Sequence, residues 1–294
     1  MLEERIDFSR ENLGAATRIT MSAVFRGVRH EVSFTLPEDL VKSNFYKGVF
    51  TADIGHYSGV HAFIESANNN SDLVFVNFID YPMLDPSPPN MFTVHVAWTG
   101  NDSRFVGKFF KLLPHIFLDN FQSVLWIDSN MILSPIDDFF ESVNSYDFVC
   151  LLHDKRMSIP SEAAELILHG KDDKQTIDKL LLSYDELVDD LEEIPLLAGR
   201  FLYRRCNERV REFNNLWFSL LVEGSIRDQL SLPIASNMVS VNSLLLPSKR
   251  AGDLFRVLFH KRYNVSKYGK GFLPFVRSSI SRLKYKLAKL KYFI

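Results

Sequence analysis

Short apolar runs punctuate the first half of the chain, and each closes on small or polar residues. Lys47-Gly48-Val49-Phe50-Thr51-Ala52 ends in small residues, and Leu73-Val74-Phe75-Val76-Asn77-Phe78-Ile79 stops at Asp80. Residues 92–98 follow a loop holding Pro82, Pro86, Pro88 and Pro89, and Ser123-Val124-Leu125-Trp126-Ile127 stops at Asp128. Phe148-Val149-Cys150-Leu151-Leu152 leads into His153. Runs of this length and composition, bounded by turn residues, predict strands. Helical spacing intervenes at Val60, Phe63 and Ile64 and over 103–113. Residues 171–193 are acidic, with Ile177, Leu180, Leu181, Leu187 and Leu191 apolar, which predicts an amphipathic helix with a solvated face. Strand character resumes over 196–205, and a helix carrying Val210, Phe213, Leu216, Trp217 and Leu220 is expected over 209–221. Residues 1–45 read as a mixed, partly helical lead-in. Strands that alternate with helices and are apolar throughout predict an α/β fold with a mainly parallel sheet flanked by helices. Such sheets bind ligands at the carboxyl ends of their strands. Thr51, Asp80, Asp128 and His153 are therefore the first candidates for chemistry.

Composition narrows the class. Of 294 residues, 46% are hydrophobic and 24% charged, which excludes long disorder and allows one large or two small domains. Cys150 and Cys206 are too few for a disulfide framework or a zinc site. The first residues lack the apolar run of a signal peptide, and no stretch reaches the ~20 apolar residues of a membrane span, so a cytoplasmic location is expected. The net charge of −2 excludes a basic nucleic-acid binder. That sum conceals a division. Residues 1–248 hold 21 basic and 35 acidic residues, whereas 249–294 hold 13 basic residues and one acidic residue, Asp253.

Asp128 and Asn130 follow a hydrophobic strand and are two residues apart, so on an extended chain they point the same way. Two such oxygens suit Mn²⁺ or Mg²⁺ held against phosphate; alternatively they open a loop and cap a helix. Arg104, Lys108 and Lys111 share one helix face, either as a diphosphate-binding stripe or as a solvated face. His115 ends that helix, beside phosphate or simply at the helix end. In Arg227-Asp228-Gln229, Asp228 is a candidate base or sugar-hydroxyl ligand and Gln229 a donor and acceptor; the same residues also suit a helix N-terminus. His153-Asp154-Lys155-Arg156 reads as a cover over donor or acceptor, or as a charged turn. The sequence contains no Gly-x-Ser-x-Gly elbow, no phosphate loop and no Gly-x-Gly-x-x-Gly.

In order and spacing, several segments together resemble one family. They are Phe50-Thr51-Ala52-Asp53-Ile54-Gly55-His56-Tyr57, Phe78-Ile79-Asp80, Phe110-Lys111-Leu112-Leu113-Pro114-His115 and Trp126-Ile127-Asp128-Ser129-Asn130. With them go His153-Asp154-Lys155-Arg156 with Glu162, the strand Leu197–Arg205 with Gly199, and Arg227-Asp228-Gln229-Leu230-Ser231. They are similar to the glycosyltransferase-like domain of plant mucilage and turgor-regulation proteins and of bacterial sugar-polymer gene clusters, over roughly 46–247. Ser58, Ile79 and Cys206 stand where that family often has Asp, Thr and His. The resemblance implies a GT-A-type, nucleotide-sugar-binding domain over 46–248, between the lead-in 1–45 and a basic tail 249–294. It implies transfer of a sugar from a nucleotide-diphosphate donor, assisted by Mn²⁺ or Mg²⁺. Thr51, Ala52 and Asp80 would then lie on the donor side near the base, and Arg104, Lys108, Lys111, His115 and Arg227 near the diphosphate. Asp128 and Asn130 would face the metal or ribose, and Asp228 and Gln229, as catalytic residues, the transferred sugar or acceptor. His153, Arg156 and Gly199 would lie on the acceptor or donor side.

The tail adds a separate expectation. Val276, Ile280, Leu283, Leu287, Leu290 and Ile294 recur at spacings of 4, 3, 4, 3 and 4, one stripe on a helix. Arg277, Arg282, Lys284, Lys286 and Lys289 lie mostly off that stripe. A C-terminal amphipathic helix of this kind suits an anionic membrane surface, at about 1 kcal/mol per basic residue. A helix packed on the domain or a coiled-coil dimer has the same pattern. The membrane reading fits a protein peripheral on the inner face of a membrane, with a glycan or lipid-linked acceptor, in polysaccharide or glycoconjugate synthesis. A non-catalytic nucleotide-sugar-binding member of the fold and a membrane-recruited interaction protein are the alternatives.

Overall fold

The computed structural model describes residues 6–56, 58–83 and 86–258. The lead-in is an antiparallel meander, β1 (Ile6–Asn12), β2 (Ala16–Phe25) and β3 (Val28–Pro37), followed by the single short helix α1 (Glu38–Lys42). This corrects the partly helical reading. Ile19, Met21, Ala23 and Phe25, and opposite them Val32, Phe34 and Leu36, are buried at alternate positions, the period of a half-buried strand. Arg26 and Gly27, at φ 50° and 76°, form the two-residue turn, whose hand matches the twist of the strands it joins.

The expected alternation follows: β4 (Phe45–Asp53), α2 (His61–Asn69), β5 (Val74–Ile79), β6 (Met91–Thr99), α3 (Ser103–Leu112) and β7 (Phe121–Ile127). Then come β8 (Met131–Leu133), α4 (Asp137–Ser142), β9 (Phe148–Leu152), α5 (Ile159–Leu168) and α6 (Lys174–Asp185). The chain continues through β10 (Leu197–Arg205), α7 (Glu208–Glu223), α8 (Asp228–Val239), β11 (Ser243–Leu246) and β12 (Phe255–Val257). The acidic segment is thus helical only as far as Asp185.

Among the described residues, ten strands form one mixed sheet in the order β1-β2-β3-β6-β5-β4-β7-β10-β9-β11. Its centre, β6-β5-β4-β7, is parallel. The meander extends this centre through an antiparallel β3–β6 pair. On the other side β10 runs antiparallel between β7 and β9, and β11 lies parallel to β9. β8 and β12 form a separate pair.

Helices cover both faces. Under α3 lies a cluster of aromatic rings, in which Phe110 stacks on Phe78 at 4.5 Å and Phe34 and Phe117 close around them. Each buried phenylalanine contributes about 1.5–3 kcal/mol through apolar area removed from water. Across the sheet, Val49, Phe63, Phe75 and Leu125 form a second core beneath α2. The first core fixes α3, and with it one wall of the site.

Candidate functional site

The carboxyl end of β7 opens onto a cleft of about 410 Å³ lined by α3, the start of β10 and the start of α8. α3 begins where the Asp102 carboxylate accepts the Arg104 amide at 2.9 Å, filling one of the donors a helix start leaves unpaired. Phe105, Val106, Phe109 and Phe110 hold its apolar side in the core. Arg104, Lys108 and Lys111, at i, i+4 and i+7, therefore all reach the cleft, and the stripe is not simply a solvated face. α8 begins at Asp228, in the helix first turn that one reading of the sequence allowed, and Asp228 also belongs to the cleft with Arg227 and Gln229. Asp128 and Asn130 enter from the end of β7, and Gly199 and Arg200 from β10.

The described lining carries five basic side chains and two carboxylates. Asp228 is the hub. Its Oδ1 lies 2.9 Å from Lys108 Nζ and its Oδ2 lies 2.6 Å from Lys111 Nζ. Burial alone would raise the Asp228 carboxyl, but Lys108 and Lys111 outweigh it and hold the group well below the usual carboxylate range. Burial pulls the Lys108 ammonium below its ordinary value, against the opposing pull of Asp228. Lys111, only 6% exposed, also stands 3.8 Å from Asp128 Oδ1 and 5.7 Å above the Trp126 ring. The Trp126 indole donates to the same Asp128 oxygen at 3.1 Å. A Cβ at position 199 would sit 3.1 Å from Lys111 Nζ and 3.3 Å from Asp228 Oδ2, so glycine there leaves room for the ion pair.

Other expected site residues stand elsewhere. Thr51 is fully buried, and its hydroxyl donates to the Ile127 carbonyl at 2.7 Å, tying β4 to β7. Ala52 is outside the described lining of the cleft. Asp80 accepts the Gly55 amide at 2.9 Å and the Trp98 indole at 2.8 Å, so it organises the loop after β4. Asp53 does the same, accepting the amides of Ser58 and Gly59 and the Tyr81 hydroxyl. His115 lies with Asn214 and Arg204 in a separate hollow, because the turn after α3 carries it to the far side. Burial, with Arg211 and Arg204 nearby, lowers its pKa to about 4.

His153 and Arg156 form a self-contained turn outside the cleft lining. His153 Nδ1 accepts the amides of Lys155 and Arg156, each at 3.1 Å, while Arg156 pairs with buried Glu162. Burial and Arg156 lower the His153 pKa to about 4, which keeps that accepting nitrogen unprotonated. Arg277, Arg282, Lys284, Lys286 and Lys289, expected at a membrane surface, lie outside the described residues. Among the described residues no helix is long and apolar enough to cross a membrane.

Two contributions escaped the sequence reading. Arg200 lines the cleft only because β10 runs antiparallel to β7 and brings its first residues to the end of that strand. Asp172 accepts the Ser225 hydroxyl at 2.6 Å, and Ser225 Oγ in turn accepts the Arg227 amide at 3.1 Å. Arg26 of the meander pairs with the same carboxylate at 2.7 Å. The loop that presents Arg227 is thereby tied to the connection before α6.

The pair expected to face a metal follows the end of β7. Asp128 and Asn130 stand on a turn, closed by the Met131 amide on the Asp128 carbonyl at 3.0 Å, instead of on an extended strand. The Asn130 amide donates to the Leu258 carbonyl at 2.8 Å. Among the described residues no three His, Cys, Asp or Glu side chains converge as a cation site. Where Asp128 and Asp228 approach each other, the position between them holds the Lys111 ammonium. A divalent cation placed between these carboxylates would meet the positive charge of Lys111.

Several solved structures are similar at low identity. The WbbM bifunctional glycosyltransferase matches with a TM-score of 0.42 and 11% identity over 70% of this chain, which spans about two fifths (39%) of that one. The galactosyltransferase LgtC, in complex with donor and acceptor sugar analogs, gives 0.43 and 9% over 68% of this chain and 72% of that one. Mouse xyloside xylosyltransferase 1 gives 0.39 and 6% over 69% and 85%. No curated protein matches the sequence. The model of the TOD1/MUCI70 glycosyltransferase-like domain matches residues 93–260, which include every described residue that lines the cleft and exclude Thr51, Ala52 and Asp80. Because that match spans more than half of the sequence, the chain belongs to the TOD1/MUCI70 glycosyltransferase-like domain family.

Proposed function

We propose that the cleft binds a nucleoside-diphosphate sugar and that the chain transfers the sugar to a glycan or lipid-linked acceptor. The observation that carries this reading is the set of five basic side chains gathered around one open cleft at the end of a parallel strand. Guanidinium groups match phosphate oxygens in pairs, and lysines add point charge, so Arg104, Arg200 and Arg227 with the two lysines suit a diphosphate. Gln229, at the first turn of α8, offers a donor and an acceptor to a sugar hydroxyl. The parallel centre of the sheet, with the cleft at the carboxyl end of its strand β7, supports a GT-A-type organisation.

In the transfer, the bond from the anomeric carbon to the diphosphate breaks and its electron pair leaves on the diphosphate. An acceptor oxygen bonds to that carbon and gives up its proton. The side-chain cations stabilise the charge that develops on the leaving group, the electrostatic contribution a preorganised site makes. Asp228, held by two lysines, fixes their position instead of accepting that proton. That commitment favours a second reading, a nucleotide-sugar-binding member of the fold without turnover.

A thermal-shift screen of nucleoside-diphosphate sugars, followed by assay of released nucleoside diphosphate, separates the readings. A matching donor at about a hundred times its Kd should stabilise the chain by about 2.7 kcal/mol. Stabilisation with release supports the transferase; stabilisation without release supports the binding protein. A panel that shifts nothing would sink both. The basic residues of 249–294 are proposed to hold the chain against an anionic membrane, close to a lipid-linked acceptor.

A further inference from the structure

We infer that the Lys111 ammonium is the built-in cation of this site, standing where a divalent ion would otherwise stand, so that the chain binds a diphosphate without metal. The inference rests on the diphosphate-binding reading above and goes beyond it by naming what neutralises the diphosphate. Lys111 Nζ is the point at which the two cleft carboxylates meet, 2.6 Å from Asp228 and 3.8 Å from Asp128. It is buried, backed by the Trp126 ring, and faced by a backbone position where even a Cβ would lie 3.1 Å away. An ammonium carries three donors and no acceptor, so it can bridge two carboxylates and still present an N–H to a phosphate.

A Mn²⁺ or Mg²⁺ ion in the same place would meet that positive charge and a second one, Lys108, on the other oxygen of Asp228. Asn130, expected beside Asp128, is held against Leu258 through its side-chain nitrogen and its main-chain carbonyl. Asn130 donates its amide to the Leu258 carbonyl, and the Leu258 amide donates back to the Asn130 carbonyl at 2.8 Å. Asp128 Oδ1 itself faces the Lys111 ammonium at 3.8 Å. The geometry makes Asp128 and Asp228 the counterions of a cation tethered in the cleft.

The test is calorimetric titration of the full chain with inorganic pyrophosphate, in EDTA and in Mn²⁺. Saturable binding in EDTA, changed by less than about threefold on adding Mn²⁺, is the expected result. Lys111→Met, which keeps the side-chain length, should weaken binding in EDTA by about tenfold or more, the value of one charge-assisted hydrogen bond. Binding that Mn²⁺ tightens by about threefold or more, with that gain lost in Asp128→Ala, would overturn the built-in cation and leave the transferase reading standing. Undiminished binding in a folded Lys111→Met protein would overturn it as well. Pyrophosphate that binds under neither condition would remove the diphosphate reading and this inference together. If Lys111→Met fails to fold, Gly199→Ala serves instead, because its Cβ displaces the ammonium without deleting it. It should weaken metal-free binding by about threefold or more, and an unchanged affinity would count against the inference.

Discussion

Asp228 is the residue on which both stability and charge balance of the cleft depend. Two lysines face one carboxylate, and all three side chains are largely out of water. Asp228→Ala leaves both ammonium groups without that partner. The expected loss is about 3 kcal/mol, at the low end for breaking a buried pair because Lys108 keeps some exposure. Urea unfolding at neutral pH measures it, and a loss indistinguishable from zero would show the ion pair to be solvated. His153 gives a pH signature. Its pKa falls from about 6.5 unfolded to about 4 folded, so the unfolded chain takes up the proton first. Its contribution is complete above pH 6.5 and is lost as pH falls through 6.5 towards 4. His153→Asn retains an oxygen to accept the amides of Lys155 and Arg156 but does not titrate in that window. The variant's stability should fall less steeply between those pH values than the parent's; equal slopes would count against a neutral, accepting His153.

At the scale of elements, α3 was legible from spacing alone. Arg104, Lys108 and Lys111 had to share a face once a helix was granted. Whether that face met solvent or a site depended on what packed against it, which no local pattern states. Thr51 and Asp80 lie outside the cleft lining for the opposite reason. Strand ends are where ligands bind in such sheets, but these two side chains are consumed by hydrogen bonds between β4 and β7 and within the loop after β4. The loop before α8 depends on a partner distant in sequence. Asp172→Ala removes the acceptor of the Ser225 hydroxyl and the partner of Arg26, freeing the loop that presents Arg227. Pyrophosphate affinity should fall by about threefold to tenfold, in step with lost hydrogen bonding of about 1 kcal/mol. Arg26→Ala, which leaves the Ser225 contact in place, should fall by less. Equal losses in the two variants would place the effect on the meander and not on the loop.

On the scale of the molecule, the charge division along the sequence is the basis of the proposed attachment to an anionic membrane. The acidic excess of residues 1–248 and the 13 basic residues of 249–294 cancel almost completely in the total. Removing residues 272–294 should reduce sedimentation with phosphatidylserine-containing vesicles, and raised salt should mimic the deletion for the intact chain. Vesicle binding that survives the deletion would assign the attraction to another surface.

The sequence by itself determined the strands β4, β5, β6, β7, β9 and β10, the helices α2, α3 and α7, the shared face of the α3 cations and the family, because apolar periodicity and motif spacing are local properties. It also held the alternation that makes the lead-in a meander, at Ile19, Met21 and Ala23 and at Val32, Phe34 and Leu36. Only the tertiary structure decided what the cleft contains. The reversal of β10 against β7 brings Arg200 and the space at Gly199 to the end of Asp128's strand. The start of α8 then sets Asp228 over Lys108 and Lys111, residues more than a hundred positions away. Charges so far apart in sequence meet through packing alone, and that meeting sets the Lys111 ammonium between Asp228 and Asp128.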